Sequence, residues 1–161
     1  MPYTFAYGNN IDTDRIIAGK YTKTLNTADL AAHVLEDLDP TFKDRVQAGD
    51  VLVGGENFGC GSSREQAPIA IKIAGVSVVI AKSFARIFFR NAINIGLPLL
   101  EVGEHDITEG DDLEVDLLNG KVFNKSKNKI YTAAPMPKVM VDILESGGLV
   151  AYLKANGDYK I

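Results

Sequence analysis

Val51-Leu52-Val53-Gly54-Gly55-Glu56-Asn57-Phe58-Gly59-Cys60-Gly61-Ser62-Ser63-Arg64-Glu65-Gln66 opens with a strand-like apolar run and passes into a glycine-rich turn. The turn then delivers two serines, an arginine and a glutamate to the front of Ala67 to Ala74, a segment rich in apolar, helix-compatible residues. Gly59 and Gly61 alternate around Cys60, as expected where the backbone takes positive φ or lies close against a ligand. A helix N-terminus offers unpaired N–H groups and the positive end of the helix dipole, and Arg64 adds a guanidinium. Together they make an anion site. Ser62 and Glu65 also fit the capping box, in which the two side chains satisfy each other's backbone N–H groups. The readings are compatible, but a cap explains neither the glycines nor the arginine.

Outward from this stretch, strands alternate with helices. Tyr3 to Ala6 reads as a strand, and Gly75 to Ala81 as a short β-branched run suited to a buried strand. Ala28 to Glu36 has a helical pattern after Asn26-Thr27, with Leu30, Val34 and Leu38 on one side. Ser83 is placed to cap a helix running to about Ile95, which Gly96 and Pro98 end. Asp112 to Leu118 and Lys121 to Asn124 flank Asn119-Gly120, the pattern of a two-residue hairpin turn. A last helix is expected from about Pro137 to Ser146, stopping at Gly147-Gly148, and Gly19 to Thr27 reads as the most flexible loop. Strands alternating with helices, plus a hairpin, predict a three-layer ββα or α/β domain.

Composition sets the class. A chain of 161 residues is long enough for one domain, here 1–161, that buries about two-thirds of its unfolded surface. Its hydrophobic fraction of 46% and charged fraction of 24% are those of a soluble globular domain. A dispersed net charge of −4 carries no electrostatic footprint for nucleic acid. No apolar run approaches membrane-spanning length, and Met1-Pro2-Tyr3-Thr4 lacks the regions of a signal peptide. A single cysteine cannot form an internal disulfide, so the expected compartment is the cytoplasm.

Gly55–Gln66, Ala81-Lys82-Ser83-Phe84-Ala85-Arg86-Ile87-Phe88, Asn91-Ala92-Ile93-Asn94-Ile95-Gly96-Leu97-Pro98 and Asn10-Ile11-Asp12-Thr13-Asp14-Arg15-Ile16-Ile17 carry a resemblance in a fixed order. They are similar to the motifs of the 3-isopropylmalate dehydratase small-subunit family, which corresponds to the swivelling C-terminal domain of aconitase. The resemblance spans about Asn9 to Pro137. It implies a swivelling ββα-type domain and a hydro-lyase subunit of leucine biosynthesis, interconverting 2- and 3-isopropylmalate. The family's 4Fe–4S cluster would sit on a separate large subunit, in a heterodimer or heterotetramer, with no cofactor bound by this chain. The lone Cys60 cannot hold such a cluster, because cysteine thiolates are its main ligands. His33 and His105 lack ligand spacing and read as surface residues.

Dehydrating a hydroxy acid requires a group that takes a proton from the carbon beside a carboxylate, where negative charge then builds up. Serine is a weak base unless its alkoxide is stabilised, and a helix N-terminus, neighbouring N–H groups and Arg64 offer that stabilisation. By resemblance Ser62 occupies the position of the base, and Ser63 and Arg64 the substrate-carboxylate positions; the chemistry alone does not choose between the serines. Thr13-Asp14 resembles the family's active-site pair, with Asp14 catalytic and Thr13 beside the substrate, while Asp12 or Thr13 also reads as a turn cap. Arg15 and Lys82 read as solvated charges, and Arg86 as a salt bridge at the helix junction. Cys60 reads as a small apolar residue rather than a catalytic thiol.

Two positions depart from the family. Gln66 stands where a histidine is usual, and glutamine hydrogen-bonds but does not titrate. Tyr21-Thr22-Lys23-Thr24 occupies the loop that faces the substrate's variable group, where Lys23 suits an additional carboxylate better than an isopropyl group. The alternatives are therefore a homoaconitase or 2,3-dimethylmalate dehydratase-type small subunit, or an anion-binding module without catalysis.

Overall fold

β1 (Thr4–Ala6), β2 (Val51–Val53), β3 (Val78–Ala81) and β4 (Leu99–Glu101) lie side by side in chain order, all parallel. The register aligns Phe5 with Leu52, Leu52 with Val79 and Val79 with Leu99. In this computed structural model, residues 2–21, 27–61, 64–134 and 136–156 are described. Consecutive parallel neighbours need crossovers, and crossovers of one hand advancing in one direction put the connecting helices on one face of the sheet.

The core divides accordingly. Side chains alternate across a strand, so Phe5, Leu52, Val79 and Leu99 pack with Ile16, Leu30, Ile71 and Phe88 from the helical side. Val51, Val53, Val78, Ile80 and Leu100 face the other way, onto Ile107, Val122 and Ala133. A sheet covered on both faces explains why Val51–Val53 and Val78–Ala81 are apolar throughout instead of alternating. The second cover is an antiparallel sheet of β5 (Leu113–Asp116), β6 (Lys121–Asn124) and β7 (Lys129–Thr132), in that order. Antiparallel sheet, parallel sheet and helices form the three ββα layers that the sequence predicts.

The helices are α1 (Thr13–Ile16), α2 (Thr27–Ala32), α3 (Phe42–Arg45), α4 (Gln66–Ile73), α5 (Arg86–Asn94), α6 (Lys138–Glu145) and α7 (Leu149–Asn156). α3, α7, β4 and β7 are not among the elements that the sequence predicts. A satellite core joins α5, α6 and α7 through Ile93, Ile143 and Tyr152.

Several boundaries are corrected. α2 ends at Ala32 rather than near Glu36, because Leu35 takes φ +54° and donates its N–H to the Ile16 carbonyl. Leu30 and Val34 are nevertheless both buried. The β5–β6 turn has four residues, not two: Asp116 pairs with Lys121 across the ladder. The Asp116 carboxylate accepts from the Asn119 N–H and amide, which closes the longer loop. α4 begins at Gln66 with Glu65 in the capping position and no side-chain cap bond, so the helix starts later than the Ser62 capping box requires. α5 starts after Ala85, and Ser83 is used elsewhere. Within the loop expected to be flexible, Gly19–Tyr21 forms a 3-10 turn, and residues 22–26 lie outside the described residues.

Candidate active site

The loops that leave the C-terminal ends of β1, β2 and β3 are fastened to one another by backbone hydrogen bonds. That end of a parallel sheet is where open α/β folds bind ligands. From the first loop to the second, Gly55 donates to the Gly8 carbonyl at 3.0 Å and Asn10 to Glu56 at 2.8 Å. Further along, Gly59 donates to Ile11 at 2.7 Å and Thr13 to Cys60 at 2.8 Å. Asn9 adds its side-chain oxygen to the Glu56 N–H at 2.7 Å. From the second loop to the third, Phe58 donates to the Ser83 carbonyl and Ala85 to that of Phe58. The Ser83 hydroxyl accepts the Asn57 N–H at 2.8 Å, so this serine clamps the glycine loop instead of capping α5.

The glycines have individual reasons. Gly59 has φ +82°, and a Cβ there would fall within 2.5 Å of Phe88 Cβ. Gly59→Ala combines backbone strain with a core clash and is expected to destabilise the chain by about 2 kcal/mol or more. A urea-unfolding midpoint lowered at unchanged m-value would register it; an unchanged midpoint would show that the loop repacks freely. Gly61 has φ +100° and lies over the start of α1, where a Cβ would meet Thr13 Oγ1 at 3.2 Å.

α1 presents the first site residues. Asp12 is its N-cap, and its side chain accepts the Arg15 N–H at 2.8 Å. Thr13 is buried, at 2% exposure, beneath Gly61. Asp14 points outward and forms an ion pair with Arg64, their side chains being 70% and 27% exposed respectively. Arg64 Nη1 also donates to the Ile17 carbonyl at 3.3 Å. The fold thus brings Thr13, Asp14 and Arg64 together. Ser62, Ser63 and Lys23 lie outside the described residues, while the sequence neighbours of the serine pair, Gly61 and Arg64, both rest against the α1 segment.

The surrounding groups sort themselves by contact. Burial, and secondarily the Asp12 carboxylate, push the Cys60 thiol above its ordinary pKa, so it stays protonated at neutral pH. Lys82 pairs with Glu104 at 3.1 Å rather than standing in solvent. Arg86 is exposed and has no ion pair among the described residues, contrary to the salt bridge expected for it. Neither histidine is a bare surface residue. His33 stacks on Tyr21 with ring centres 3.8 Å apart and bonds Glu36. His105 Nδ1 accepts the Ile107 N–H, so its Nε2–H donates to the Gly54 carbonyl, 2.8 Å away, at the root of the glycine loop. Asn9, Ser83 and His105 were missed as loop supports, because their partners are distant in sequence.

Among the described residues, no three His, Cys, Asp or Glu side chains are grouped to hold a metal ion. With one cysteine in the chain, these residues do not fit a 4Fe–4S cluster held within this subunit. No helix among the described residues is long and apolar enough to cross a membrane. An apolar cavity of about 610 Å³ lies between α6 and the β5–β6 turn, lined by Leu100, Leu118, Ala133 and Leu144, and none of the described site residues contributes to its wall.

The site can be set beside known proteins. The family model described as Aconitase C-terminal domain matches residues 38–104. A 3-isopropylmalate dehydratase small subunit from Wolinella succinogenes is 57% identical over 150 residues, covering 92% of this chain and 90% of the relative. A "3-isopropylmalate dehydratase small subunit 2" from Archaeoglobus fulgidus is 54% identical over 156 residues, covering 96% and 94%. The crystal structure of a 3-isopropylmalate dehydratase from Methanocaldococcus jannaschii superposes with a TM-score of 0.92 at 46% identity, over 97% of this chain and 93% of that one. With this identity sustained over nearly the whole length of both chains, and the same fold, the chain belongs to the family of 3-isopropylmalate dehydratase small subunits.

Proposed function

We propose that the chain is the small subunit of a 3-isopropylmalate dehydratase, a hydro-lyase of leucine biosynthesis that acts in the cytoplasm with a large subunit. The observation that carries this reading is the meeting of Thr13, Asp14 and Arg64 at the mouth of the glycine loop. The names and near-full-length identity of the relatives support the substrate class. The donor set of this chain leads us to assign the 4Fe–4S cluster to the large subunit.

In this reading Arg64 and Ser63 hold a substrate carboxylate. Ser62 removes the proton from the carbon beside that carboxylate as the hydroxyl departs, leaving an alkene. Returning the proton and a hydroxyl with their positions exchanged gives the isomer. Arg64 and the adjacent N–H groups stabilise both the serine alkoxide and the charge that gathers on the carboxylate. Asp14 neutralises Arg64 before substrate arrives and orients it afterwards. Gln66, the first residue of α4, supports the turn by hydrogen bonding and does not shuttle protons.

Co-expression with the large subunit, anaerobic reconstitution and ultraviolet detection of the alkene test the reading with 3-isopropylmalate, homoisocitrate and 2,3-dimethylmalate. Preference for 3-isopropylmalate is expected. Lys23 motivates a second reading, in which a substrate with an additional carboxylate is favoured. Lys23→Leu is expected to lower turnover of homoisocitrate by roughly tenfold and to leave 3-isopropylmalate nearly unchanged, as for loss of one charge-assisted contact. Equal effects on all three substrates would remove Lys23 from substrate selection.

A further inference from the structure

Gly19 is a glycine without a backbone reason. Its φ lies outside the left-handed range that favours glycine, and it begins the 3-10 turn Gly19–Tyr21 in a conformation open to any residue. Gly8, by contrast, has nothing within 4 Å of where a Cβ would stand. At Gly19 a Cβ would meet Arg64 Nη2 at 3.1 Å, Cζ at 3.5 Å and Nη1 at 3.6 Å. With three guanidinium atoms 3.1 to 3.6 Å from that point, the head group fills the space that a side chain at Gly19 would need. The same guanidinium is held by the Asp14 carboxylate and the Ile17 carbonyl, from the chain just before Gly19.

We propose that Gly19 is a positioning residue for Arg64: its missing side chain leaves room for the guanidinium where Asp14 and Ile17 hold it, aligned for a carboxylate of the substrate. This rests on the reading that Arg64 binds that carboxylate. A methyl group at Gly19 needs no left-handed backbone, and the atoms it would meet first among the described residues are those of the guanidinium. The head group has to move by a few tenths of an ångström, away from the position in which Asp14 and Ile17 hold it. A planar fork grips a carboxylate through two parallel hydrogen bonds, which tolerate little tilt. Small misplacements of a positioning group are costly in catalysis.

Gly19→Ala in the reconstituted two-subunit enzyme is expected to lower kcat/KM for 3-isopropylmalate about tenfold, mostly through KM, with the thermal midpoint nearly unchanged. The decisive comparison is a double-mutant cycle with Arg64→Lys, whose compact ammonium has no plane to align. In the Arg64→Lys background Gly19→Ala should change kcat/KM less than about twofold. The same tenfold loss in both backgrounds, or no loss in the parent, overturns the proposal.

If the parent complex turns over none of the malates, the functional reading falls, and positioning is judged separately on the isolated full-length chain. There the Arg64 Nε–H resonance should shift in Gly19→Ala and stay in place in Lys20→Ala, which changes the exposed neighbour. An unmoved Arg64 resonance in Gly19→Ala overturns the positioning role whatever the activity.

Discussion

Ser62→Ala in the reconstituted complex is expected to reduce kcat by about 10³-fold, with KM nearly constant and the complex still assembled. The expectation follows from the role, not only from the resemblance. Proton abstraction from carbon by a serine works only where the alkoxide is stabilised, and removing such a base typically costs about 10²–10⁴-fold. The groups that would stabilise it lie among the residue's described sequence neighbours. Gly61 lies on Thr13, Arg64 is held by Asp14 and Ile17, and α4 begins at Gln66. Anaerobic stopped-flow detection of the alkene, with size-exclusion chromatography of the same sample, separates loss of chemistry from loss of assembly. A loss below about tenfold would move the base elsewhere, with Asp14 the next carboxylate in line.

Arg64→Lys is expected to lower kcat/KM by about 10²-fold, more through KM than through kcat. Lysine keeps the charge but loses the planar fork, so it can neutralise Asp14 without gripping a substrate carboxylate at two points. The fold should be unaffected. Asp14 is mostly exposed, and an ion pair with one partner in solvent contributes little to stability. Steady-state kinetics on the assembled enzyme, with a thermal melt of the free subunit, checks both parts. Full activity in Arg64→Lys would reduce Arg64 to a surface charge and leave the glycine loop as a structural turn.

Three of the four central strands, β1 to β3, were legible because their signals are local. Val51–Val53 and the run ending at Ala81 are apolar on both faces, as strands sandwiched between two layers must be. The glycine turn was legible as a turn, and Asp12 as a cap, for the same reason. What was misjudged depended on contacts across the fold. Leu35 stops α2 because its N–H turns to Ile16, and Ser83 leaves α5 uncapped because Asn57 claims its hydroxyl. β7 carries exposed positions on most of its length and gives no buried alternation to recognise.

The site divides along the same line. Ser62, Ser63 and Arg64 were conspicuous as an anion-binding cluster beside a predicted helix start. That Arg64 would settle against Asp14, between Ile17 and Gly19, required the β1 and β2 loops to be zipped together. The sequence suggested Asp14 only through resemblance to a family motif, and nothing in it singled out Gly19. The support from His105 at Gly54 was invisible for a further reason: the tautomer that makes it a donor is set by the Ile107 N–H.

The most direct test of the split active site is alkene formation from 3-isopropylmalate by the cluster-loaded large subunit, measured anaerobically with and without this chain. No turnover is expected from either chain alone and full turnover on mixing, saturating as the two reach equal amounts. Turnover by the large subunit alone, or none in a stable complex of the two, would contradict the assignment of the base and the carboxylate grip to this chain.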